Sequence, residues 1–179
     1  MVGKLLAPVA AALALTAVLA APAGARADRP ASLVRTNSVL ATQVLSDVNQ
    51  IRRAHGLRPL RFSTNLAAAS AQHSEEMARV GYFSHDSAGG GAFWRRVERY
   101  YGSNGRRYWS VGENLLWSSP DIDAAGALKM WMASPEHRAN LLKGEWHEIG
   151  LSAVHVASAP GAFNGLEVTI VTADFGVRR

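Results

Sequence analysis

Three short segments, residues 82–85, 112–115 and 131–138, carry the side chains best suited to chemistry in this sequence. They supply His85, Glu113 and His137. Imidazoles and carboxylates transfer protons near neutral pH and bind divalent metals. Glu113 lies in a largely apolar stretch, and a buried carboxylate is costly unless it has a partner. We therefore expect an imidazole or a metal ion beside Glu113, although a surface carboxylate at a strand end is the simpler alternative.

The sequence before His137 predicts a helix start. Ser134 is a good N-cap, and Pro135 suits the first helical position. A helix N-terminus disfavours a charged imidazole, so we expect His137 to stay neutral and ready to bind a metal. A polar first-turn residue without a function is the alternative.

Two histidines and one carboxylate could hold Zn²⁺ or another divalent metal, with water completing the shell. The predicted metal ligands are therefore His85, His137 and Glu113. Metal sites also need groups that orient the imidazoles, and Ser84 and Asn140 are the candidates for that role in the same cavity. In a catalytic alternative, Glu113 is the general base for a metal-assisted hydrolase.

In this order and spacing, the three segments resemble the bacterial branch of the CAP superfamily. That superfamily groups cysteine-rich secretory proteins, antigen 5 and the plant pathogenesis-related class 1 proteins. The resemblance spans residues 39–175, and it implies an α-β-α sandwich in which His85 and His137 are the two cavity histidines. It also implies binding of lipids or sterols. The eukaryotic pattern has a second glutamate after the tryptophan of the fourth helix, where this chain has Met132 after Trp131.

Periodicity along the chain predicts helices first and strands later. Apolar residues recur at helical spacing over residues 39–55, 64–80, 92–101 and 122–132, whereas residues 148–156 and 166–175 alternate as strands do. The last two strands should pair as a hairpin. These elements predict an α+β fold, a single domain of the CAP type over residues 39–179.

The N-terminus resembles a secretory signal peptide over residues 1–27. Lys4 precedes an apolar run, and Ala25-Arg26-Ala27 matches a cleavage site. A membrane anchor is the alternative, but the run is rich in alanine and is followed by Pro22 and Gly24. We expect cleavage after Ala27, a flexible leader over residues 28–38, and a secreted, periplasmic or cell-envelope protein with no integral membrane span in its mature form.

The composition further restricts the kinds of site and partner that this chain can have. There is no cysteine, so thiolate metal sites, cysteine nucleophiles and disulfides are excluded. The formal net charge is +5, and arginines cluster over residues 52–61 and 95–107. Neither cluster forms a nucleic-acid motif, so we expect no nucleic-acid partner. We interpret both clusters as solvated surfaces, with contact to an anionic envelope surface as the alternative.

Three functions follow as hypotheses. The first is an exported, non-catalytic monomer whose His85, Glu113 and His137 cavity binds a small hydrophobic or cell-envelope ligand, with or without a divalent metal. The second is a metal-assisted hydrolase or peptidase that acts on envelope polymers. The third is a structural or adhesive envelope protein. The chain has no G-x-S-x-G nucleophile motif, which favours the first over the second.

Overall fold

Five strands and five α-helices make up residues 33–179, the part of the chain that this computed structural model describes. The predicted signal peptide lies outside that range. The strands are β1 Val34–Thr36, β2 Arg61–Phe62, β3 Trp109–Ser118, β4 Glu148–Val156 and β5 Val168–Arg178. The helices are α1 Ser38–Ala54, α2 Thr64–Val80, α3 Phe93–Tyr100, α4 Ala124–Ala133 and α5 Pro135–Leu141. The α+β class predicted from the sequence is confirmed.

One sheet collects all five strands in the order β1-β4-β5-β3, and β2 pairs with β4. The predicted hairpin is confirmed, since β4 and β5 run antiparallel with Ile149 opposite Phe175. β3 pairs with β5 alone and therefore forms an edge of the sheet. This edge is where the candidate site lies.

The two faces of the sheet bury different helices, because successive strand residues point to opposite sides. On β5, Val171, Ala173 and Phe175 belong to a core with α1 and α4. On the same strand, Val168 and Ile170 pack with Met77 of α2. Helices thus cover both faces, and the α-β-α sandwich implied by the resemblance is confirmed. A second consequence is that neighbouring residues of β3 face different helices.

The expected flexible leader of residues 28–38 lies partly outside the described residues, and its described part, from residue 34 onward, is ordered. Val34 pairs with Val156 at the start of β1, and Asn37 caps α1, its Oδ1 accepting a hydrogen bond from the Leu40 backbone at 3.0 Å. These contacts satisfy backbone groups that a free tether would leave to water. The ordered fold therefore begins before residue 39.

The expectation of solvated arginine clusters is wrong for Arg52 and Arg96, which are 0% and 2% exposed. The Arg52 guanidinium donates to the carbonyl oxygens of Leu141 at 2.7 Å and Arg58 at 3.0 Å. It thereby anchors the C-terminal end of α5, where helix carbonyls lack intrahelical partners. Within residues 33–179, no helix has the length and apolarity needed to cross a bilayer.

Candidate functional site

A cavity of about 360 Å³ opens beside β3, between α5 and the loop that follows α2. Its lining residues are His85, Glu113, Asn114, Glu136, His137, Ala139, Asn140 and Lys143. The structure therefore brings together His85, Glu113, His137 and Asn140, although they are far apart in the sequence. Ser84, the remaining candidate, does not line this cavity.

A buried ion pair holds the ring of His85. His85 Nδ1 lies 2.8 Å from Glu113 Oε1, and the Arg96 guanidinium donates to Glu113 Oε2 through Nη2. Both Glu113 and Arg96 side chains are 1% exposed. Arg96 also donates from Nη1 to the His85 carbonyl oxygen at 3.1 Å. One arginine thus fixes the backbone of His85 and the acceptor of its ring.

The same geometry sets the charge of His85. Its hydrogen bond to Glu113 raises the pKa of the imidazole above the ordinary value, against an opposing contribution from burial. Because Nδ1 faces Glu113, it is the donor nitrogen, and the half-exposed ring turns its other nitrogen away from that carboxylate. His85 can therefore offer the cavity a proton at low pH and a lone pair at higher pH.

Asp174 on β5 lies directly opposite Glu113 on β3. It is fully buried, and its Oδ2 accepts a hydrogen bond from Ser70 at 2.8 Å. Burial, and then the negative charge of Glu113, raise the pKa of Asp174 well above the usual range. Because a protonated Asp174 carries no charge, the positive charge of Arg96 pairs with the Glu113 carboxylate.

Helix α5 is tied to the opposite face of β3 by two asparagines. Asn114 Nδ2 donates to the His137 carbonyl at 3.0 Å, and Asn140 Nδ2 donates to the Glu113 carbonyl at 3.2 Å. Trp146 Nε1 in turn donates to Asn140 Oδ1 at 3.0 Å. Gly112 is needed here, because a Cβ at that position would come within 2.8 Å of Asn140 Oδ1. Asn140 therefore positions α5 and does not orient an imidazole.

His137 is biased toward its neutral form, in the direction that the sequence predicts but for a different reason. Burial lowers the pKa of its imidazole, and the positive charge of His85 lowers it further. Ser134 occupies the N-cap position of α5 without making a side-chain capping hydrogen bond. Burial and the charge of His85 thus favour the neutral imidazole, in the same direction as the helix N-terminus.

Ser84 contributes through its backbone. Its carbonyl lies 2.9 Å from Nε2 of His73, a fully buried residue on α2, and its hydroxyl accepts a hydrogen bond from the Asp86 backbone at 3.2 Å. Burial lowers the pKa of His73, so this imidazole is neutral. The loop that carries His85 is thus held from α2 as well as from α3.

The proposed three-ligand metal set does not fit this arrangement. Both oxygens of Glu113 are engaged, one with His85 and one with Arg96. Across residues 33–179, no group of three His, Asp or Glu side chains is arranged to hold a metal ion. Two imidazoles remain, one fewer than the three protein ligands of a typical catalytic zinc site. The same pairing leaves Glu113 poorly placed to act as a general base toward the cavity.

Arg96, Asp174 and Ser70 belong to the site but were not identified from the sequence. Asp174 carried a usable signal: it is the single charge in the apolar strand of residues 168–177, the same criterion that singled out Glu113. Arg96 had a weaker one, since it precedes Val97 on the face of α3 that turns inward. Only the fold brings the two charges together.

Solved structures of bacterial surface and extracellular proteins share this fold. An extracellular Bacillus anthracis protein with an SCP domain superposes with a TM-score of 0.59 at 28% identity, covering 79% of this chain and 41% of that one. An outer surface protein of Borrelia burgdorferi gives 0.61 at 15% identity, over 82% of this chain and 100% of that one. At 15% identity, the Borrelia likeness shows the fold alone.

Two Bacillus subtilis proteins are similar in sequence. The uncharacterized membrane protein YlbC is 31% identical over 109 residues, 61% of this chain and 30% of its own length. The uncharacterized protein YkwD is 27% identical over 138 residues, 72% of this chain and 51% of its own length. The chain thus spans about half or less of these relatives. Residues 45–175 match the sequence profile of the cysteine-rich secretory protein family, CAP, and this cysteine-free chain therefore belongs to that family.

Proposed function

We propose that this CAP domain is exported and binds a small polar ligand with an anionic group in the cavity of His85 and His137, without catalysing a reaction. The observation that carries the proposal is the fixed, half-exposed His85 ring, whose Nδ1 is held by the buried Glu113. Lys143 and Glu136 add one charge of each sign to the lining, so the His85 ring is the group that would receive the anion, and Asn140 adds polar atoms. A prepositioned donor in a concave site costs little ordering on binding.

The lining does not favour the hydrophobic ligand expected from the resemblance, because Ala139 is its single apolar residue. A groove of about 380 Å³ on the other side of α5 suits apolar ligands better. It is lined by Met132, Ala133, Pro135, Arg138, Ala139 and Leu142. A lipid-like molecule would therefore bind there and leave the histidines undisturbed.

A divalent metal held by His85, His137 and water is the second candidate. The carboxylate behind His85 favours it, because metal-binding imidazoles commonly donate their other ring nitrogen to a carboxylate. With two protein ligands its affinity would be weak. Titration of the purified chain with Zn²⁺, with His85→Gln and His137→Gln beside it, tests this candidate.

NMR titration of the exported chain tests the polar-ligand proposal, with citrate as the anionic probe and octanol as the uncharged, lipid-like one. Citrate should shift the imidazole resonances of His85 and His137, and His85→Gln should abolish the response. His55→Gln is the matched control, since His55 is exposed and contacts its own helix at Ile51. If neither probe disturbs the two cavity rings, the structural or adhesive hypothesis becomes the better account.

A further inference from the structure

Five exposed arginines lie on α3, on the turn that follows it and after β5: Arg95, Arg99, Arg106, Arg107 and Arg179. We refer to them as the arginine surface. Arg95 and Arg99 are four residues apart on α3, so they share a helix face. The chain end lies against the turn that follows α3, since Tyr108 and Arg179 exchange backbone hydrogen bonds of 2.8 and 3.0 Å. Arg178 Nη1 also donates to the Gly102 carbonyl at 3.2 Å, so the end of α3, the turn and the residues that end β5 adjoin one another.

The arginine surface has almost no acidic residues to neutralise it. Glu98 is the one acid in the segment of residues 93–108, and Glu145, which accepts a hydrogen bond from the Tyr108 hydroxyl at 3.4 Å, is paired with Lys143. No ion pair within residues 33–179 engages any of the five, whereas the nearby Arg178 and the more distant Arg61 both reach Glu148. Exposed arginines without counter-charges produce a local positive potential that attracts anions.

Two of the guanidinium groups are already positioned by aromatic rings. Arg95 lies over the ring of Trp94 at 5.2 Å, and Arg179 lies over Tyr108 at 4.8 Å. Stacking of this kind holds the planar group while leaving its N–H edge available for oxyanions. Trp94 and Tyr108 remain 40% and 37% exposed, so nucleic-acid bases and a bilayer surface are the alternative partners that the test must separate.

We propose that the arginine surface binds a linear polymer that carries phosphate groups along its length. Every cation in it is an arginine, whose fork of N–H donors matches phosphate oxygens in pairs. The groups extend from a helix across a turn to the chain end, which suits an elongated partner better than a single small anion. This proposal does not depend on the cavity of His85 and His137.

Binding of inorganic polyphosphate to the exported chain tests the proposal. If four arginines each neutralise a phosphate with a salt slope of about 0.7, affinity should fall by about 50-fold between 50 and 200 mM salt. The double variant Arg106→Gln/Arg107→Gln should bind about tenfold more weakly, the loss expected for two exposed charge pairs. Its salt slope should fall by about 1.4.

The matched control is Arg53→Gln/Arg58→Gln, which removes the same charge from two exposed arginines outside the arginine surface. It should keep the wild-type affinity and salt slope. Equal losses in the two double variants would overturn the proposal, because they would show attraction by net charge alone. Equal binding of polyglutamate, or tighter binding of single-stranded DNA or anionic vesicles, would overturn it in favour of another partner.

Discussion

Replacing Arg96 by methionine should cost this domain a large part of its stability. The substitution keeps much of the buried stem but removes the guanidinium from Glu113 and from the His85 carbonyl. Both charged side chains are 1% exposed, so solvent hardly screens the loss. Removing one partner of a buried pair typically costs about 3–5 kcal/mol, against a total of about 5–15 kcal/mol for a domain.

Urea unfolding at neutral pH measures the effect. With a slope of about 2 kcal/mol per molar, Arg96→Met should lower the unfolding midpoint by about 2 M and leave the slope unchanged. Arg95→Met is the control, because Arg95 is the preceding residue on α3 but is exposed. Its effect should stay within about 0.5 kcal/mol.

A double substitution separates a lost ion pair from lost packing. If the damage comes from the unpaired Glu113 carboxylate, Glu113→Leu in the Arg96→Met background should recover part of the stability. Packing damage would instead make the double variant worse than the single one. A loss below about 1 kcal/mol in Arg96→Met would refute the argument, since the carboxylate would then have found another partner.

Three further outcomes follow from the same site. The raised pKa of Asp174 means that the unfolded chain ionises first as pH rises, so Asp174→Asn should gain free energy of unfolding relative to wild type between pH 4 and pH 7, as measured by urea unfolding. NMR titration should place the pKa of His85 above 6.5 and that of His137 below it. The stability that comes from the raised pKa of His85 is present at low pH and is lost as pH rises, so His85→Gln should lower the free energy of unfolding more at pH 5 than at pH 8. Gly112→Ala should lower the free energy of unfolding by about 1–3 kcal/mol through overpacking against α5, and a calorimetric midpoint equal to wild type would contradict the close approach.

Local patterns in the sequence predict the helices and strands because each element has its own period. The predicted strand over residues 148–156 has the same bounds as β4, and the helix predicted from residue 64 to 80 is α2. Boundaries fail where a single cap or pairing decides them. Ser63 caps α2, and the last strand, predicted to end at residue 175, runs on to Arg178 because β3 offers it partners there.

Charge pairing across the sheet could not be predicted in the same way. Arg96 stands in a run that is rich in arginine, and only its place before Val97 on the inward face of α3 distinguishes it from its exposed neighbour Arg95. Its burial depends on Glu113 and Asp174, which meet because β3 and β5 are neighbours in one register. Such contacts join residues far apart in sequence, so composition and periodicity carry no information about them.

The buried charges beneath β3 are a poor explanation for the stability of a domain without disulfides, because apolar replacements of such clusters are often neutral or stabilising. These charges instead fix the position of the His85 ring. Glu113 on β3 holds the ring of His85, Arg96 on α3 holds its carbonyl, and His73 on α2 holds the carbonyl before it. The His85 imidazole is therefore already ordered before a ligand binds, which lowers the entropy cost of binding. Its contacts with buried side chains hold this loop residue as firmly as a residue of the core.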